Sequence, residues 1–138
     1  MKWGTIAAAV VVLGLAACGG RDDPKLFSER ADLRSCGSIG AHRPGDAFTT
    51  AEQRLITCLT DAHDAGVGAE LKLTLLDTEG GRSQMWVRVL AAGGVEEFQH
   101  TPDSEFGNEE WTLTTCADLG LDQSGQPHGA KCAASIRL

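Results

Sequence analysis

The chain opens on an apolar run from Trp3 to Leu15, and no periodic pattern follows it between Gly19 and Ser28. Leu26, Phe27, Arg30 and Leu33 then recur three or four apart, predicting a short helical turn in the segment from Pro24 to Arg34. Gly37, Gly40, Pro44 and Gly45 predict a loop carrying Cys36. The clearest helical signal starts at Thr49-Thr50-Ala51-Glu52, a capping box in which a Thr hydroxyl takes an orphan backbone N–H and Glu52 reaches back. Leu55, Ile56, Leu59 and Ala62 follow at helical spacing, Cys58 lies beside that stripe, and Gly66 supplies the stop.

Period two then takes over. Leu71, Leu73 and Leu75 alternate with Lys72 and Thr74, which marks a half-buried strand. Asp77 to Arg82, with Gly80-Gly81 inside it, makes a turn into a second strand whose Met85, Val87 and Val89 face inward. Gly93-Gly94 turns the chain into Val95–His100, where Glu96-Glu97 sets Val95 and Phe98 an odd step apart and predicts a bulge. Trp111, Leu113 and Thr115 alternate with Thr112 and Thr114 in a fourth strand. Residues 117–130 read as a polar, Gly-containing loop, and Cys132, Ala134, Ile136 and Leu138 as a short closing strand. The simplest assembly is an α+β domain: one main helix packed on an antiparallel meander of four to five strands. No internal repeat and no second domain is legible.

The apolar N-terminal run changes the picture of where this domain lives. Lys2 and the α-amino group form a positive n-region, Trp3–Leu15 an apolar h-region, and Ala16-Ala17 the small residues before a cleavage site. The run is about 13 residues, short of the roughly 20 that cross a bilayer core. Leu15-Ala16-Ala17-Cys18 resembles a bacterial lipobox, which implies cleavage before Cys18 and lipidation of its sulfur. Two or three acyl chains hold a protein far better than one. The expected organisation is a signal peptide at 1–17, a lipidated Cys18 with a linker to residue 28, and one domain at 29–138. The protein is then held in the cell envelope, on the extracytoplasmic side of a bacterial membrane. Gly19, where Asp would resemble an inner-membrane retention signal, leaves the outer membrane open.

Lys2 is the only charge lost with the signal, so eleven basic residues face nineteen acidic ones and the net charge moves from −7 to −8. That balance argues against nucleic acid, which is bound through clustered Lys and Arg. It suits a basic partner, although many domains are acidic simply to stay soluble. Of five cysteines, Cys18 goes to lipid and Cys36, Cys58, Cys116 and Cys132 remain. An even number in an exported chain reads as a disulfide framework. Cys36–Cys58 and Cys116–Cys132 are the expected bonds, because each pair brackets one local unit. The spacings do not suit zinc or a redox pair.

Several features taken together resemble a family of small bacterial lipoproteins that share a domain of unknown function. They are Cys58 on a helix ahead of an alternating strand, Thr78-Glu79-Gly80 in the hairpin turn, Asp103-Ser104-Glu105-Phe106-Gly107, and the late Cys116 and Cys132. The resemblance spans about residues 50–138; the Cys36 segment and the absence of Tyr depart from it. It implies the fold and the anchor, and it implies no activity.

Catalytic signals are sparse. No serine sits in a Gly-x-Ser-x-Gly elbow, and the phosphate-loop and dinucleotide fingerprints are absent. His63-Asp64 at the helix end suits the helix dipole better than catalysis. His100, after an irregular strand and before Asp103 and Glu105, is the histidine around which a small hydrolase would place its site. Glu96-Glu97 and Glu109-Glu110 are neighbours in sequence and so point to opposite faces of a strand, which does not suit a glycosidase. Asp118, Asp122 and Ser124 lack the regular oxygen spacing of a calcium loop. No catalytic residue, metal or cofactor is assigned. Trp86, Arg88 and Leu90 share the face opposite Met85-Val87-Val89, and they are the candidate binding face if it is open. Leu26–Leu33 is the segment that would instead cover it. The sequence thus reads as a lipid-anchored, non-enzymatic interaction module. The alternatives are an inhibitor or accessory of a basic envelope enzyme such as a muramidase, or a small hydrolase.

Overall fold

The computed structural model describes residues 33–101 and 110–138. The helical turn expected around Leu26 and the Asp103–Gly107 motif lie outside the described residues. The elements run β1 (Arg34–His42), α1 (Thr50–Asp64), β2 (Ala69–Leu76), β3 (Arg82–Val89), β4 (Val95–His100), β5 (Thr112–Leu121), β6 (Pro127–Cys132) and β7 (Ile136–Arg137). They build an α+β domain in which α1 packs on one face of a mixed sheet.

The helix starts and stops where its chemistry dictates. Thr49 is extended, its hydroxyl accepts from the Glu52 N–H at 3.3 Å, and the Glu52 carboxylate accepts from the Thr49 N–H at 2.8 Å. Ile56, Leu59 and Ala62 form the buried stripe. At the far end Gly66 takes a left-handed φ of 63°, and its N–H and that of Val67 return to the carbonyls of His63 and Ala62. This is a Schellman closure, which satisfies two orphan carbonyls and which glycine adopts without a Cβ penalty.

Strand order is β1-β2-β3-β4-β5-β6, with β7 pairing beside Thr112 and Leu113 of β5. β2 to β6 form the expected antiparallel meander, but β1 is an addition to it. The residues taken for a loop around Cys36 are an edge strand, running parallel to β2 with α1 as the crossover. Two register shifts, between Ser35 and Ser38 and between Ile39 and Ala41, accommodate the extra residues of this glycine-containing strand. Bulged edges resist pairing with other chains.

Two further expectations are corrected. Residues 117–130 are not a loop: β5 runs on to Leu121, an Asp122-anchored turn reverses the chain, and β6 returns along β5. The closing strand shrinks to Ile136–Arg137. Nor does β4 bulge at Glu96-Glu97; its pairing with β3 and β5 is continuous throughout. The odd step from Val95 to Phe98 exists because each faces a different apolar layer. Val95 joins Leu59, Leu71, Leu73, Met85, Val87 and Val89 beneath the helix, whereas Phe98 joins Trp111 and Leu113, with Trp86 and Leu138 against them, on the other face. Leu59, Leu71, Leu73 and Phe98 are fully buried, each contributing about 1.5–3 kcal/mol of transfer free energy.

Both expected disulfides are present. Cys36–Cys58 ties α1 to β1, and Cys116–Cys132 links directly opposed residues of β5 and β6. Gly129 is required beside the second bond, because a Cβ at that position would overlap the Cys116 sulfur. β6 also reaches back across β5 toward β4 and β3, where the Gly129 N–H donates to the Glu97 carboxylate. The end of the sheet therefore curls toward the helix.

Candidate functional site

That curl creates a groove between α1 and the tip of the β5–β6 hairpin, with a volume of about 260 Å³. Gln53, Ile56 and Thr57 line it from successive turns of the helix, and Leu121, Ser124 and Gly125 line it from the hairpin. Phe48, buried just ahead of the helix cap, closes the groove between them.

Each wall is fixed. The Gln53 amide donates to the Phe48 carbonyl at 3.2 Å, and the Phe48 ring stacks on His42 with centroids 3.9 Å apart and planes 7° from parallel. His42 is itself buried, and its Nε2 makes no hydrogen bond among the described residues, so packing rather than polarity holds this ring. In the hairpin tip, Asp122 Oδ1 accepts from the Ser124 hydroxyl at 2.6 Å, the Ser124 N–H at 2.8 Å and the Gln126 N–H at 2.9 Å. The Ser124 hydroxyl, with these N–H groups, holds the Asp122 carboxyl below its ordinary pKa. Pro127 anchors the returning strand by full burial. Leu121 stands at the rim, 51 % exposed.

Two carboxylates adjoin lining residues in the chain. Asp122 borders Leu121, and Glu52 borders Gln53. The Glu52 carboxyl also lies below its ordinary value, first through the Thr49 N–H and then through the Thr49 hydroxyl. Arg54, directly after Gln53, is the nearby cation in the sequence. At the opposite end of α1, His63 Nε2 lies 3.3 Å from Asp118 Oδ1 in β5 and its Nδ1 lies 3.3 Å from Asp64. Lys131 Nζ approaches Asp118 at 3.9 Å. His63 thus acts as a latch between helix and hairpin.

The candidate face at Trp86, Arg88 and Leu90 is not an exposed patch. Arg88 is 3 % exposed, because Glu70 draws its Nε to 3.2 Å and Glu96 draws its Nη1 to 4.0 Å. Trp86 is half-buried under Lys72, whose Nζ lies 5.1 Å from the ring centroid, and it packs on the Phe98 layer. Leu90 is half-buried at the turn after β3, its N–H donating to the Gly94 carbonyl. A guanidinium between two carboxylates is an internal ion pair rather than a partner's target.

His100 stacks on Trp111 with centroids 4.9 Å apart, and Asp103 and Glu105 lie outside the described residues. His128 Nδ1 lies 2.7 Å from the Gly129 carbonyl. No group of three His, Cys, Asp or Glu side chains among the described residues is arranged to hold a metal ion. Among them, too, no helix is long and apolar enough to cross a membrane. Asp118 and Asp122, weighed together as oxygen ligands, are separated in role: one meets His63 and Lys131, the other caps its own turn.

The groove is not legible in the sequence because its hairpin falls in residues that read as a polar loop. The available signal was Leu121, a large apolar residue directly ahead of an Asp-x-Ser-Gly turn. A scan against protein-family models and searches of curated proteins and of solved structures return no match to this chain.

Proposed function

We propose that this chain is a bacterial envelope protein held to its membrane by lipid on Cys18, and that its domain is a non-enzymatic interaction module. The observation that carries this reading is the use of the cysteines. Cys36, Cys58, Cys116 and Cys132 are all paired, which suits an oxidising compartment and leaves Cys18 alone behind Leu15-Ala16-Ala17. The engagement of the histidines supports the second half. His42 spends its ring on Phe48, His63 meets Asp64 and Asp118, and His128 meets the Gly129 carbonyl.

The test is mass spectrometry of the protein recovered from envelope membranes. The expected N-terminal peptide starts at Cys18 and carries diacylglyceryl and acyl mass, and Cys18→Ala loses both the mass and the membrane association. An unmodified N-terminus elsewhere would overturn the anchor. A second reading, favoured by the mature charge of −8, makes the module an inhibitor or accessory of a basic envelope enzyme such as a muramidase. Dose-dependent loss of muramidase activity that weakens with added salt would support it.

A further inference from the structure

We propose that the groove between α1 and the β5–β6 hairpin is the site of that interaction, and that it takes one bulky apolar side chain of a partner protein, presented between basic residues. The inference rests on reading the domain as a binding module, and it adds where the partner sits and what chemistry it brings.

Size points to a side chain rather than a free ligand. The groove encloses about 260 Å³, just below the roughly 300–1,000 Å³ of pockets that hold drug-sized molecules. Its apolar walls, Phe48 and Ile56, are finished by Leu121, which at 51 % exposure is an apolar surface that burial would stabilise. Exposed Val67 and Ile136 are not among the residues that line it. The walls are also set before any partner arrives. Phe48 is stacked and hydrogen-bonded to Gln53, and the hairpin tip is cross-braced through Asp122, so little ordering cost remains.

Charge selects the flanks. Glu52 adjoins Gln53 and Asp122 adjoins Leu121 in the chain, and each carboxylate is tied into a fixed position by its own turn. Arg54, next to Gln53 in the chain, sets one cation against these two carboxylates, and the mature chain as a whole carries −8. Cations beside the inserted side chain gain from this arrangement and anions lose.

The experiment uses the full chain in a neutral detergent, labelled at the isoleucine δ1 methyl groups. The probes are three capped tripeptides, Lys-Trp-Lys, Glu-Trp-Glu and Lys-Ala-Lys. Ile56 reports on the groove; buried Ile39 and exposed Ile136 are internal controls. The expected result is a saturable shift of the Ile56 methyl with Lys-Trp-Lys, about tenfold weaker binding of Glu-Trp-Glu at low salt, and no shift with Lys-Ala-Lys. Leu121→Ser, at a position exposed enough to leave folding intact, should weaken Lys-Trp-Lys about tenfold with the Ile39 methyl unmoved.

No Ile56 shift up to about 10 mM peptide, equal shifts at Ile136, or equal binding of the two Trp peptides would each overturn the proposal. Such a failure leaves the module reading standing if an envelope protein is still retained equally by the parent and by Leu121→Ser. Retention by neither, together with silent peptides, removes both.

Discussion

Replacing Cys36 and Cys58 together with alanine asks how far β1 belongs to the domain without its covalent tie. The bond spans 22 residues, and loop closure of that size is worth about 3.4 kcal/mol in the chain-entropy treatment. Cys116–Cys132, spanning 16, is worth about 3.1 kcal/mol, so entropy alone predicts nearly equal losses for the two double variants. The structure separates them. β6 keeps its antiparallel neighbour, its tight turn and its contact to Glu97 when its disulfide goes. Among the described residues β1 has only β2 beside it in the sheet, its register is broken twice, and it reaches that partner through a whole helix. At a urea m-value of about 2 kcal/mol/M, the Cys36→Ala/Cys58→Ala midpoint should fall by about 1.7 M. Native-state hydrogen exchange should show β1 amides losing protection before those of β2 to β5. A midpoint drop below about 0.5 M with β1 protection retained would refute the reasoning, because sheet pairing and helix packing would then suffice.

Further predictions follow from the helix cap and from the hairpin. Thr49→Ala removes the hydroxyl that receives the Glu52 N–H and should cost about 1 kcal/mol, read as a lowered melting temperature. The Glu52 carboxyl lies below its ordinary value of 4.5 in the folded chain, so its contribution is present above the ordinary carboxylate range and disappears as pH falls through the folded value. Glu52→Gln should therefore flatten the acid limb of the stability profile; an unchanged limb in a pH series of urea melts would contradict this. Gly129→Ala forces a methyl into the Cys116 sulfur and should cost about 1–3 kcal/mol, with free thiol appearing in a refolded sample. An unchanged melting temperature and complete oxidation would refute this.

Legibility in the sequence followed the range of the interactions. The helix was readable because its signals are local: Thr49 and Glu52 make the cap, Ile56, Leu59 and Ala62 the stripe, and Gly66 the stop. β2 and β3 were readable because they join through a tight turn and alternate cleanly. β1 was not, since Gly37 and Gly40 look like loop residues and a parallel partner lies beyond a whole helix in sequence. Glu96-Glu97 looked like a bulge because reading one inward face left no place for Phe98, whereas the sheet carries an apolar layer on each side. Arg88 looked like a surface residue because its partners, Glu70 and Glu96, lie on neighbouring strands and meet it only by register. The groove depends on a curl at the end of the sheet, which no local pattern encodes.

The placement of Cys36–Cys58 has a mechanical consequence. Under the anchor proposed on Cys18, a pull between membrane and partner reaches the described part of the chain at β1. Cys36 is the third residue of that strand, and Cys58 directly follows Thr57 in the groove wall. Tension arriving along β1 therefore passes to the helix across a covalent link after three residues. The ladder between β1 and β2 is shielded, since hydrogen bonds beyond Cys36 lie off the line of force. A bulged, one-sided edge strand can thus serve as the point of attachment without being peeled from the sheet.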